Sequence, residues 1–130
     1  MEESEERGFP THPSALAEIR RWVRERAAEA GLSVKTTEEL ALAVNEAAAN
    51  ALVHSGSADI VVRWTRREGE VVLEVRDQGV FKRRVRLPQI EGPGGYGIQL
   101  MMSLMDQVEI SEGTARYPGT AVRLVKRKHG

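Results

Sequence analysis

The sequence predicts an α/β (α+β) two-layer sandwich, a mostly antiparallel mixed sheet covered on one face by about three helices. Three observations carry this. Two segments with helical apolar spacing come early in the chain. Two pairs of β-rich runs follow, each reading as a hairpin. A short apolar segment of helical character lies between the pairs. Strands joined as hairpins, with helices grouped between them, bury one sheet face under a helix layer.

The first helix reads from "THPSALAEIRRWVRERAAEAG". Leu16, Ile19, Val23, Ala27 and Ala30 recur at helical spacing. Pro13 suits a first turn and Gly31 a stop. The opposite face carries Arg20, Arg21, Arg24 and Arg26 among glutamates. The second helix begins near Thr36, which with Glu39 can form a capping box. Leu40, Val44, Ala47 or Ala48, and Ala51 make its apolar stripe, and Gly56 ends it. The period then changes. "ADIVVRWTRREGEVVLEVRD" is two strands around the turn "REGE". Residues 78–97 form a loop rich in Gly and Pro, longer than most connections in a compact domain. "IQLMMSLMD" is a third, buried helix, and "QVEISEGTARYPGTAVRLVKRK" a final hairpin. Residues 1–8 have almost no apolar content and are expected to be a disordered acidic tail. Residues 9–128 are expected to be one domain, without internal repeats.

The chain has 130 residues, with 19 basic and 19 acidic side chains and no cysteine. That size buries a core without a disulfide or metal staple. A net charge of zero gives no support for direct nucleic-acid binding. The absence of cysteine excludes thiol catalysis and cysteine metal sites. No stretch approaches the roughly 20 apolar residues of a membrane span. The expectation is a cytoplasmic protein that does not engage a membrane.

Four constellations carry chemistry. Glu46 and Asn50 stand one turn apart in "NEAAANALVH", so they share one helix face, and His54 continues the line. An Asn carbonyl suits Mg²⁺, and a carboxylate one turn away can take a proton. The same spacing also fits an exposed polar stripe. In "EVRDQGV", Asp77 ends an apolar strand just before Gly79. A carboxylate there can accept an exocyclic amine, or the pair can simply be a turn. In "GPGGYGIQLM", Gly94, Gly95 and Gly97 run into a helix, as in a phosphate cradle or a flexible connector. There is no Lys-Ser/Thr of a Walker loop. In "PGTAV", Thr120 starts the last strand; its hydroxyl can bridge to Asp77, or the residue can serve only as a strand former.

With these parts in this order, the chain resembles the GHKL (Bergerat-fold) ATPases, and within them the bacterial anti-sigma factor serine/threonine kinases. The likeness runs from about Phe9 to Lys126. "ELALAVNEAAANALVHS" is similar to the family's N box, which implies Glu46 as general base and Asn50 as the Mg²⁺ ligand. "DQG" matches the start of the first glycine box, which implies Asp77 at the adenine amine with Gly79 beside it. "GGYGIQLMMSLMDQVEI" looks like the second glycine box. It implies ATP contacts at Gly94, Gly95, Gly97 and Ile98, with Gly95 and Gly97 approaching the phosphates. "GTAV" resembles the last box, with Thr120 beside the adenine. His54 stands where many relatives carry a basic residue or His, which implies a phosphate contact. Residues 80–94 are a short ATP lid, typical of the anti-sigma branch. Lys82, Arg83, Arg84 and Arg86 there can touch the γ-phosphate or form a solvated edge. The resemblance further implies an anti-anti-sigma protein as phosphoacceptor and a sigma factor as the sequestered partner. The first helix is the candidate surface for a homodimer or partner contact. A nucleotide-binding switch without phosphoryl transfer is the alternative, and a fold relic without nucleotide a third reading.

Overall fold

The computed structural model describes residues 2–54, 59–77, 95–112 and 120–127. The elements are β1 (Glu3–Pro10), α1 (Ala15–Glu29), α2 (Val34–His54), β2 (Asp59–Arg67), β3 (Glu70–Asp77), α3 (Gly95–Leu104), β4 (Gln107–Glu112) and β5 (Thr120–Arg127). The five strands form one sheet in the order β1-β2-β3-β5-β4. Every neighbouring pair is antiparallel, so among the described residues the sheet is not mixed. The reason is topological. The connection through α3 sets β4 outside β5, leaving β3 and β5 to pair in opposite directions.

Strand alternation separates the two sheet faces. Phe9, Ile60, Val62, Trp64, Val71, Leu73, Val75, Val122 and Leu124 are buried and belong to one cluster with the helix residues Ile19, Trp22, Val23, Leu40, Val44, Ala47, Ala48 and Met101. The other face carries a charged row beside the buried Thr65, Val72 and Val125. By register, Glu6, Arg63, Glu74, Arg123 and Glu109 make one row across all five strands, alternating in sign at every step. Within this row Arg63 pairs with Glu6 at 3.6 Å and Arg123 with Glu109 at 3.3 Å.

β1 corrects the expectation of a disordered tail over residues 1–8. Low apolar content argues for disorder only when the charges have no partners in the fold. Here β2 supplies them: Glu3 pairs with Arg66 at 2.6 Å and Glu2 with Arg67 at 3.5 Å, while Glu5 meets Arg26 of α1 at 2.6 Å. Phe9 anchors the strand at 1% exposure, edge-on to Trp22 at a centroid distance of 6.2 Å.

The starts of both helices differ from expectation, while the expected stop at Gly31 holds. Pro13 lies outside α1, which Ser14 precedes and Ala15 opens. At its other end Gly31 adopts φ +75°, Gly31 N–H donates to Ala28 O and Leu32 N–H to Ala27 O. That is the paired bonding of a Schellman stop, which needs a left-handed residue at this point. α2 starts before the proposed capping box. The Ser33 hydroxyl accepts from Thr36 N–H at 3.1 Å, so Ser33 takes the cap position.

Glu39 is freed from capping and used elsewhere. Lys126 of β5 reaches Glu39 Oε1 at 3.0 Å and donates to Leu104 O, the last carbonyl of α3, at 2.7 Å. This clamp fixes directions. α2 begins and α3 ends at the Lys126 end of β5. α2 rises about 16 Å from Glu39 to Asn50, and β5 spans about 20 Å from Thr120 to Lys126. The C-terminal turns of α2 and the N-terminal turn of α3 therefore sit together over the Thr120 end of the sheet.

Candidate functional site

That end gathers the residues singled out in the sequence. Glu46 and Asn50 project from α2 on one face, and both are half-buried. The first turn of α3 lies directly on them. A Cβ built on Gly97 would stand 3.1 Å from Glu46 Oε1, 3.7 Å from Asn50 Nδ2 and 4.0 Å from Asn50 Oδ1. Three predicted residues thus meet at one point, although Gly97 is distant in sequence from the other two. α2 also carries Asn45 beside Glu46. Its carboxamide oxygen accepts from Arg20 Nη1 at 2.5 Å, tying α2 to α1 next to the carboxylate.

Asp77 and Thr120 form the second part of the site. Asp77 ends β3 on the helix-covered face, aligned with Ile60, and is 6% exposed. A carboxylate at such burial needs fixed donors. One is the backbone N–H of Thr120, which donates to Asp77 Oδ2 at 3.3 Å. The described link to Asp77 is thus made by the backbone of Thr120 rather than by the hydroxyl that the sequence suggested. Of the other predicted positions, Gly95 opens α3 and His54 closes α2. Ile98 is partly buried and packs against the core. Gly79, Gly94 and the basic run Lys82, Arg83, Arg84 and Arg86 lie outside the described residues.

The arrangement pairs a carboxylate and a carboxamide with a helix N-terminus. The free amides and the dipole of that terminus favour an anion such as phosphate. Among the described residues no group of three or more His, Asp or Glu side chains is assembled to hold a metal. The described residues thus offer a cation at most a few protein oxygens. Mg²⁺ is bound in that way, and the Asn50 oxygen suits it. Sequence reasoning missed the Arg20–Asn45 and Lys126–Glu39 ties, because each joins different elements and leaves no mark in local spacing.

A separate open cavity of about 480 Å³ lies under β1, lined by residues including Trp64, Arg26 and Glu29. It is at the Lys126 end of the sheet, away from Asp77. Its carboxylates Glu3, Glu5 and Glu29 are taken up by Arg66 and Arg26. Among the described residues no helix is long and apolar enough to cross a membrane.

A five-stranded antiparallel sheet under three helices, with an Asn-bearing helix against a glycine-led one, defines the α+β class of this domain. The chain belongs to the histidine kinase-like ATPase domain family, which its residues 9–126 match. Among solved structures it is similar to the RsbU and RsbW domains of Rv1364c from Mycobacterium tuberculosis. The TM-score is 0.74 and the identity 22%, over 96% of this chain and 32% of that one. The chain therefore spans about a third of the solved protein, and at this identity the likeness bears on the fold alone. None of the curated proteins matches significantly.

Proposed function

We propose that this domain is an ATP-dependent serine/threonine protein kinase that acts as an anti-sigma factor. It phosphorylates an anti-anti-sigma protein and sequesters a sigma factor. The observation that carries the reading is the seating of the first turn of α3 on Glu46 and Asn50, within a chain of the ATPase family.

The protein groups divide the work. Asp77, held by Thr120 N–H, accepts the exocyclic amine of adenine and anchors the base. The amides at the start of α3 receive the phosphates. Asn50 would hold Mg²⁺ through its side-chain oxygen, and the ion would supply positive charge at the phosphates. Glu46, held against α3, accepts the proton of the attacking Ser or Thr hydroxyl. Phosphoryl transfer is mainly positioning and electrostatics, so this sparse set of groups is sufficient.

The test is calorimetric ATP binding with and without Mg²⁺. Asp77→Asn weakens binding under both conditions, because the adenine contact is lost. Asn50→Ala weakens only the Mg²⁺-dependent part. Glu46→Ala leaves binding near wild type and abolishes γ-phosphoryl transfer to the anti-anti-sigma protein. Failure of the wild type to bind ATP would overturn the reading. Binding and partner control without any transfer would leave a switch instead of a kinase.

A further inference from the structure

Gly97 is a glycine inside a helix, where alanine is the better helix former. No left-handed backbone explains it, since among the described residues only Gly31 and Gly69 have positive φ. The explanation is spatial. The three nearest atoms to the place of its missing Cβ are Glu46 Oε1, Asn50 Nδ2 and Asn50 Oδ1. The open side of Gly97 therefore faces two side chains of α2.

We propose that Gly97 is a positioning residue for Glu46, its missing side chain providing the space in which the Glu46 carboxylate and Asn50 carboxamide are seated. This rests on the reading of Glu46 as the proton acceptor, and it gives Gly97 a task distinct from backbone approach to phosphate. At 3.1 Å a methyl group forces its neighbour to give by a few tenths of an ångström. The neighbour that gives is Glu46 Oε1, because it is the far end of a flexible side chain while α3 is held by its packing and by Lys126. The backbone contact between the helices survives the substitution, and the aim of the carboxylate does not. A proton acceptor acts only within hydrogen-bond reach of its hydroxyl, so a small misplacement is expressed in rate rather than in nucleotide affinity.

The experiment compares wild type, Gly97→Ala, Glu46→Asp and the double variant. The readouts are melting temperature, ATP affinity, transfer rate and the Asn50 side-chain amide signals in ¹H–¹⁵N spectra. Gly97→Ala melts no lower than wild type, binds ATP within a few-fold, shifts the Asn50 side-chain signals and transfers about 10-fold or more slowly. Glu46→Asp alone is slow, because its carboxylate is drawn back by one methylene. In the double variant the shorter side chain accommodates the methyl group. Transfer is then faster than in Gly97→Ala, and the Asn50 signals return toward wild type. The proposal is overturned if the double variant is as slow as the product of the single losses, or if Gly97→Ala loses ATP affinity as steeply as rate. If the wild type transfers no phosphoryl group, the kinase reading fails by itself. The Asn50 signals then decide: a shift in Gly97→Ala that Glu46→Asp reverses upholds the seating, and unmoved signals refute it.

Discussion

Replacing Lys126 by methionine keeps the aliphatic stem against the core and removes only the charge. In the wild type that charge is 15% exposed and serves two acceptors: Glu39 Oε1 at 3.0 Å and the Leu104 carbonyl at 2.7 Å. Glu39 is 23% exposed, so its orphaned carboxylate regains some water. The full cost of breaking a buried ion pair, about 3–5 kcal/mol, therefore does not apply. A hydrogen bond from a charged donor contributes about 1.5–3 kcal/mol, and the last carbonyl of α3 also loses a favourable cation. The sum is a loss of about 2–3 kcal/mol. Urea unfolding of a domain this size has a slope near 1.5 kcal/mol per molar, so the midpoint should fall by about 1.5–2 M at unchanged slope. Adding Glu39→Gln to Lys126→Met removes the stranded charge and should recover about 1 kcal/mol. A midpoint change below about 0.5 M would refute the claim that this clamp fixes α2 and α3 to β5.

Three further outcomes follow from the geometry. Phe9→Ala should cost about 3–5 kcal/mol, and amide exchange should show residues 3–10 losing protection before the rest of the sheet. Gly31→Ala meets no atom within 4 Å, so its cost is backbone strain alone at φ +75°, about 1–2 kcal/mol by denaturant titration. The side-chain hydrogen bond from Arg24, with its charge, holds the Glu38 carboxyl below its ordinary range. Its contribution is full above the ordinary carboxylate value and is lost as the pH falls through the depressed one. The difference in melting temperature between wild type and Glu38→Gln should thus be largest near about pH 6 and vanish by about pH 2.

Much of this domain is legible from local pattern. The stripe of Leu40, Val44, Ala47 or Ala48, and Ala51 reads as a buried helix face; all are buried except Ala51, which is partly buried against the core. The "REGE" turn reads as a hairpin, and Gly69 turns it at φ +82°. The strand at residues 3–10 is not legible, because its glutamates make sense only beside Arg66, Arg67 and Arg26. Nothing near them in sequence reveals those partners. The site divides in the same way. The spacing of Glu46 and Asn50 is a helical fact and can be counted. The meeting of both with Gly97 depends on how α3 docks on α2, which the clamp at Lys126 governs from the far end of the sheet.

The alternating row Glu6–Arg63–Glu74–Arg123–Glu109 gives the sheet face opposite the helices a vernier. A strand that slips by two residues keeps every side chain on its own face, so facing alone does not detect the error. On β1 such a slip moves Glu6 from Arg63 to Val61 or Thr65 and leaves the charges of that mark unmatched. Charge on this surface thus encodes alignment.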